Sequence, residues 1–408
     1  MALSSLAFSQ YPLTQYGLQW IQPTFPLAHA LDNGEAAILD RSIERTSQNL
    51  GGEREYVRIA SALTKRWPQL SATFLRPIFP PRHPFLMARF GLHAASPATW
   101  EARKVFASTA GRALFGGMAA HSNLALSTPV SAAFGWVLAL AAHAVGWPIP
   151  RGGSQSIANA LGAYFESLGG TIVKSQRVRS LSELSSASLV LCDVGVQEFL
   201  AIAGNRLDGD YRKSLDRFRP GPAAFKIDWA LSNPIPWRNS QCKHAGTVHL
   251  GGTFDEIAAS ERAVWHGKVH PRPFVLLAQP SLFDSSRAPG SAHTAWAYCH
   301  VPNGCRDDVT EQIEAQVERF APGFRKQILA KHLITPDGFE QMNPNYTGGD
   351  ILGGAQTALQ LAFRPTRHLY WTPIKGVYLC SASTPPGGGV HGMCGYYAAK
   401  IAIKENQN

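Results

Sequence analysis

Charge is scarce in this 408-residue chain: Asp, Glu, Lys and Arg make up 16% of it, against about a quarter in an ordinary soluble domain. With 45% hydrophobic residues, that excludes a disordered chain and leaves room for a large core spread over two domains. The net charge is +10, yet there is no Lys/Arg run and no interleaving of cations with aromatics. The cations read as scattered. That argues against nucleic-acid binding and leaves a mildly basic surface with a weak pull on anionic lipid or an acidic partner. Cysteine is sparse as well: six residues, at 192, 242, 299, 305, 380 and 394, with no CxxC. This excludes a disulfide framework and reads as free thiols in a reducing compartment. His244, His249, His293 and His300 fit no zinc spacing and no carboxylate cluster joins them, so no metal is expected. Met1 is followed by polar residues, not by a basic n-region and an apolar core, and the chain reads as cytoplasmic. There is no internal repeat, no low-complexity linker, and no nucleophile triad or carboxylate pair to point at hydrolysis.

What the chain does have begins with apolar length. Residues 113–150 contain no Asp, Glu, Lys or Arg. Within them, Val130–Trp147 is long enough to be weighed as a membrane span. It holds Ser131, His143 and two glycines and is bracketed by prolines, so a buried helix lining an apolar cavity is the expectation. A span and a monotopic dip into a bilayer are the alternatives.

Strand-like pieces open the chain at Leu18–Gln22 and Ala36–Leu39. Residues 41–125 read as helices broken by the proline-rich patch Arg76–Pro84. Ser154 is placed to cap a helix that ends at Gly169-Gly170. Thr171–Val178 and Leu189–Asp193 then read as strands. From Ala223 the chain turns β-rich, with strands expected at Ala223–Leu231, Val248–Gly251, Phe274–Ala278 and His293–Val301. Asp308 and Glu311 have capping-box spacing before a helix that puts Ile313, Val317 and Phe320 on one face.

The densest information lies at the end. Val377–Cys380 reads as a buried strand, Gly387-Gly388-Gly389 as a loop, and Met393–Ile403 as a helix. Strand, glycine loop and helix bring backbone N–H groups and a helix N-terminus up to a bound group, and the same glycines serve a tight turn that needs positive φ. Residues Gly376 to Lys400 resemble the C-terminal flavin-binding segment of the phytoene desaturase-like, amine-oxidase-like FAD oxidoreductases. More narrowly, they are similar to the group containing the pyridine nucleotide-disulphide oxidoreductase domain-containing proteins. Gly17–Pro23, Gly146–Gln155, Asp228–Trp237, Arg287-Ala-Pro, Arg319–Phe324 and Asn343–Asp350 carry the resemblance through most of the chain.

In that family the chain begins with a strand, a GxGxxG turn and a helix that hold the FAD pyrophosphate. Here Met1-Ala-Leu-Ser-Ser-Leu resembles the sequence just beyond that unit, and no GxGxxG occurs near the N-terminus. Gly348–Gly354 is glycine-rich but has no Lys-Ser/Thr of a phosphate loop. The resemblance therefore implies a mixed α/β (α+β) fold: an incomplete FAD-binding doubly wound domain with an inserted mixed-sheet and helical substrate domain. The expected segments are a substrate-side helical region (1–145), a middle FAD-domain segment (146–205), a β-rich substrate domain (206–370) and a C-terminal FAD-binding segment (371–408).

The implied cofactor is FAD and the implied site residues are Val178, Gly387, Gly388, Gly389, Val390, His391, Gly392 and Met393. Gly388–Met393 would lie along the ribityl chain and ring. The N–H groups of Val390–Met393 would stabilise the N1–C2=O edge, and Val178 would reach the adenine through its backbone or be an ordinary strand residue. His391 is the candidate proton donor, or else a histidine that caps or packs. Arg151-Gly-Gly-Ser154 is either a second turn toward the flavin or a plain cap. Arg364 and Arg367 either bind phosphate or acid groups or, by default, sit at the surface. Trp229, Trp237, Trp296 and Trp371 either line an apolar tunnel or pack a core. The function so implied is dehydrogenation of an apolar or amphipathic, in the family isoprenoid, substrate. Two alternatives stay open: a non-catalytic degenerate relative, and half of a split flavoenzyme completed by an N-terminal chain. A peripheral membrane contact is the other candidate partner.

Overall fold

Among the described residues eleven strands form: β1 (Trp20–Ile21), β2 (Phe25–Ala30), β3 (Ala36–Leu39), β4 (Ile149–Pro150), β5 (Val190–Cys192), β6 (Ala223–Leu231), β7 (Ala245–Leu250), β8 (Val275–Ala278), β9 (His293–Val301), β10 (Ile328–Ile334) and β11 (Val377–Leu379). The computed structural model describes residues 1–207 and 209–407. Asp208 and Asn408, which fall in the last two expected segments, lie outside the described residues.

Seven strands make one mixed sheet in the order β10-β6-β9-β8-β7-β2-β3. Its single parallel pair is β2–β7, with His29 opposite His249. One face is apolar by strict alternation: Phe225, Ile227, Trp229 and Leu231 of β6 pack against Val317 and Phe320 of the helix Thr310–Phe320. On the other face, the β2–β3–β7 end is covered by the helix Thr109–Ala120. Gly117 permits that approach, because a Cβ there would stand 2.4 Å from His249 Nδ1.

Against this helix packs Ser131–Val145, a 15-residue helix burying Trp136 and Ala139–Ala142. It is the buried helix anticipated for Val130–Trp147, and among the described residues no helix is long and apolar enough to cross a membrane.

A second, smaller unit rests on the parallel pair β5–β11, in register Val190↔Val377. Phe199, Leu200, Leu215, Ile374 and Leu379 form its core.

The differences from the sequence reading have local causes. Pro26 near its start hid β2, which nonetheless sits inside the sheet. β10 is an edge strand, exposed along most of its length although five of its seven residues are apolar, so it shows no polar–apolar alternation to detect. Thr171–Val178, expected as a strand, pairs with no strand among the described residues, and Ser175 at φ +58° interrupts it. Alternation shows that a segment can be a strand, whereas a neighbour's N–H and C=O groups make it one. The helix after Asp308 takes no capping box: Val309 is the N-cap, and the Asp308 carboxylate accepts the Thr310 N–H at 2.8 Å instead. Ser154 precedes the helix Gln155–Ser167 as expected, but its hydroxyl caps nothing.

Candidate functional site

β5 and β11 run parallel, so their carboxyl ends deliver two turns to one place. In open α/β sheets that is where ligands bind. From β5 comes Asp193-Val194-Gly195, leading into the helix Val196–Ala203. From β11 comes Cys380–Thr384, leading into the glycine loop and the helix Met393–Asn406. Cys380 N–H continues the ladder by donating to the Cys192 carbonyl at 3.0 Å.

A third segment clasps both turns. Asn345 Oδ1 accepts the Gly195 N–H at 2.7 Å. The Asp350 carboxylate accepts the N–H groups of Gly221, Leu352 and Gly354 at 2.8, 2.8 and 2.7 Å. The stretch Asn343–Asp350, picked out by resemblance alone, is thus the polar buckle of the site. The space it encloses with Gly195, Phe218, Gly353 and Ser383 is a narrow slot of about 40 Å³, far below the several hundred Å³ of a cofactor pocket.

Arg364, expected by default at the surface, is instead fully buried. Its guanidinium donates to the Gly353 carbonyl at 2.7 Å, to Gln356 Oε1 at 3.0 Å and to the Ser383 carbonyl at 3.4 Å. No carboxylate pairs with it among the described residues, and burial lowers its pKa to about 10, which still leaves it charged at neutral pH. The charge lies beside the glycine loop: a Cβ on Gly387 would come within 2.8 Å of Arg364 Nη1. Nothing in the local sequence marks this arginine apart from its place before the last strand. Its partner in the same motif, Arg367, is exposed.

The glycine loop is held from several sides. Gly387 (φ +107°), Gly389 (φ +140°) and Gly392 (φ +65°) adopt backbone conformations that favour glycine. Gly388 is pressed against the Leu352 carbonyl, 2.7 Å from where its Cβ would be. Residues 387–392 also have the spacing GxGxxG, between the strand β11 and the C-terminal helix.

His391 is buried with both ring nitrogens engaged. Nδ1 accepts the Met393 N–H at 3.0 Å, so Nε2 carries the proton and donates to the Gly387 carbonyl at 3.1 Å. Burial lowers its pKa to about 4. In this arrangement it staples the loop as a neutral imidazole. Ser5 Oγ donates to its carbonyl at 2.5 Å, tying the first helix to the last.

Met393 is buried, whereas Val390 is exposed. The N–H groups of Val390 and Gly392 have no partner among the described residues and lie at the exposed start of the C-terminal helix. These donors, the helix N-terminus and the Arg364 charge fit the polar edge of a flavin ring. The 40 Å³ slot does not fit the rest of one.

Val178 is half-buried on the segment Thr171–Val178, and its neighbour Arg177 ion-pairs with Glu198 at 2.8 Å.

The remaining candidates separate cleanly. Gly152 of the Arg151–Ser154 turn is occupied internally, its N–H donating to Asp284 at 2.6 Å and its carbonyl accepting from Arg287 at 2.5 Å. Trp229 and Trp237 pack in the core behind the large sheet, and Trp371 bonds Glu405. Trp296 alone lies on the face left partly uncovered, with its ring 6.2 Å from Tyr298 and nearly parallel to it. An apolar cleft of about 370 Å³, lined by Leu3, Leu6, Trp67, Leu75 and Val145, runs up to Met393 at the end of the glycine loop.

No family model matches the chain. It is 28% identical over 270 residues to the pyridine nucleotide-disulfide oxidoreductase domain-containing protein 2 of Mus musculus, covering 59% of this chain and 44% of that protein. It is 25% identical over 274 residues to a lycopene-forming phytoene desaturase of Pseudescherichia vulneris, covering 60% of this chain and 53% of that one. The chain thus spans about half the length of the curated relatives it matches. Its fold is that of an oxidoreductase from Methanosarcina mazei, with a TM-score of 0.58 and 15% identity over 96% of this chain and 83% of that chain. Putrescine oxidase gives a TM-score of 0.56 at 11% identity, over 97% and 84%.

Proposed function

We propose that this chain, a homologue of the phytoene desaturases and of pyridine nucleotide-disulfide oxidoreductase domain-containing protein 2, is the substrate-binding and flavin-ring-binding part of an FAD-dependent oxidoreductase. The observation that carries the reading is the loop Gly387–Gly392: N–H donors at a helix start that have no acceptor and, behind them, a buried arginine that has no carboxylate partner, among the described residues. FAD, when bound, supplies the hydride acceptor.

What the chain's own residues do follows from their placement. Val390 and Gly392 offer backbone donors to a developing negative charge. Arg364 raises the local potential and fixes the loop through three carbonyl-type acceptors. His391 holds the loop shape as a neutral staple. The apolar cleft that ends at Met393 excludes water and suits an apolar or amphipathic substrate, of which an isoprenoid is the class named for the phytoene desaturase relative.

A specific observation favours completion by a further polypeptide segment, in the same protein or supplied in trans. The parallel sheet has two strands among the described residues, and Ile172, Val173 and Leu191 stand exposed beside it.

The test is the visible spectrum of the purified chain after incubation with FAD, with bound flavin released and quantified against protein. Near-stoichiometric flavin, reduced in Arg364→Met, supports the reading. No flavin in the presence of a complementing strand–GxGxxG–helix segment overturns it.

A further inference from the structure

Of the two edges of the seven-stranded sheet, one is covered and the other is open. β3 ends the sheet on one side, with Ala37 and Leu39 buried in the core under the helical bundle and Ile38 in the core behind the sheet. β10 ends it on the other side and is exposed along most of its length, Leu329 at 65% and Leu333 at 36%. Every second residue of an edge strand turns its N–H and C=O away from the sheet. Among the described residues no backbone bond reaches Leu329–Leu333 from any segment but β6.

Soluble proteins usually blunt such an edge with a proline, a bulge or charges that stand in water. β10 has no proline, and the register shift beside Leu329 leaves Ala330–Ile334 regular. Its one ammonium is held by a neighbour: Lys331 Nζ donates at 2.8 Å to Glu314, whose carboxylate is buried.

The order of residues says which strand fits. Ile328-Leu-Ala-Lys-His-Leu-Ile334 reads nearly the same in both directions about Lys331. A second copy laid antiparallel on this edge meets its own pattern, with Leu329 opposite Leu333, Ile328 opposite Ile334 and Ala330 opposite His332. A self-matching strand permits an isologous two-fold contact, and directly opposed apolar pairs stabilise it. The single like-charge pair, Lys331 against Lys331, falls on the axis in acidic surroundings. Each Lys331 is bonded to Glu314 and attracted by Asp308 and by Glu311, which also pairs with Arg325. A strand of an unrelated protein could satisfy the same N–H groups but has no reason to repeat the apolar pattern in reverse. We propose that β10 is the dimerisation edge of this chain, joining two seven-stranded sheets into one across a two-fold axis at Lys331.

Sedimentation equilibrium of the full chain tests this. A one-strand contact is at the small end of specific interfaces, so a dimer with a Kd on the order of 10 μM is expected over a range of about 1 to 200 μM chain. Leu329→Glu and Leu333→Lys each set a charge opposite a leucine and should each weaken the dimer about tenfold. The double variant sets opposite charges across from each other and should recover most of that loss. Phe85→Ser, at an exposed apolar position on the helix Pro84–Ala94, should change nothing. All these positions are exposed, so the dilute variants should keep the parental melting temperature. Hydrogen exchange reads the contact directly: the amides of residues 329–333 should exchange more slowly as concentration rises. Four results would overturn the proposal. They are a monomer at the highest concentration, a dimer indifferent to both single variants (as association through the apolar segment beside β5 would be), a double variant no tighter than the singles, and exchange at residues 329–333 that ignores concentration.

Discussion

The seven-stranded sheet and the two-stranded parallel pair solve the same problem with different means. The sheet buries one face against the helix Thr310–Phe320 and the β2–β3–β7 end of the other against a helical bundle, so apolar area holds it. Around β5–β11 the apolar core is thin, and directed polar contacts carry the architecture: Asn345 on Gly195, Asp350 on three N–H groups, Arg364 on three acceptors. Apolar packing is indifferent to what binds nearby. A clasp of charges and N–H groups sets a potential, and so is the half in which a cofactor would be felt.

If that contrast holds, removing core from the two halves should have unequal effects. Trp229→Ala, a fully packed ring against Phe324 with its Nε1 donating to Glu314, should cost about 3–5 kcal/mol. Leu379→Ala on β11 should cost about 2–3 kcal/mol, near the lower end for such truncations. Urea unfolding measures both, and equal losses would break the comparison.

Acid should loosen the sheet–bundle interface first. Burial lowers the folded-state pKa of His29 to about 4 and that of His249 well below its ordinary value. The unfolded chain binds the proton more readily. The stability these neutral rings contribute is therefore fully present above about pH 6.5 and lost as pH falls toward 4. His29→Gln should remove about 3 kcal/mol of that pH dependence, seen as a flatter slope of unfolding free energy between those limits. His391 adds one such ring in the glycine loop, so His391→Gln should flatten the slope less than His29→Gln and His249→Gln together.

Arg364→Met probes the polar half. It leaves the Gly353 and Ser383 carbonyls and Gln356 Oε1 without their donor, at a cost of about 2–3 kcal/mol, and Arg364→Lys should recover only part of it because an ammonium cannot fork. Thermal melts check the cost. A drop in flavin retention larger than the stability loss explains would tie the charge to the cofactor.

The smallest effect sharpens the contrast at its edge. Ile172→Lys and Val173→Lys on the unpaired segment should change stability by under about 0.5 kcal/mol while reducing self-association measured by light scattering.

How much of this was legible in sequence varied with the kind of signal. β3, β6 and β9 fall where the sequence pattern puts them, because each alternates in or beside a buried core, and the helix after Val309 buries Ile313, Val317 and Phe320 as its spacing demands. The glycine loop was legible because glycine is tied to local backbone geometry. The clasp was not. Asn345 lies 150 residues from Gly195, and Asp350 lies 129 from Gly221, so no local pattern announces either pairing.

By itself the sequence determined which segments are apolar enough to be core, where glycine turns the chain between β11 and the last helix, and which family the chain is homologous to. These properties are local, fixed by side-chain periodicity and backbone sterics. Tertiary structure alone decided that Thr171–Val178 pairs with no strand among the described residues, that Arg364 is buried rather than solvated, and that His391 spends both nitrogens on its own loop. Each depends on what another part of the chain brings within hydrogen-bonding or contact distance, and a chain read in order does not carry distance.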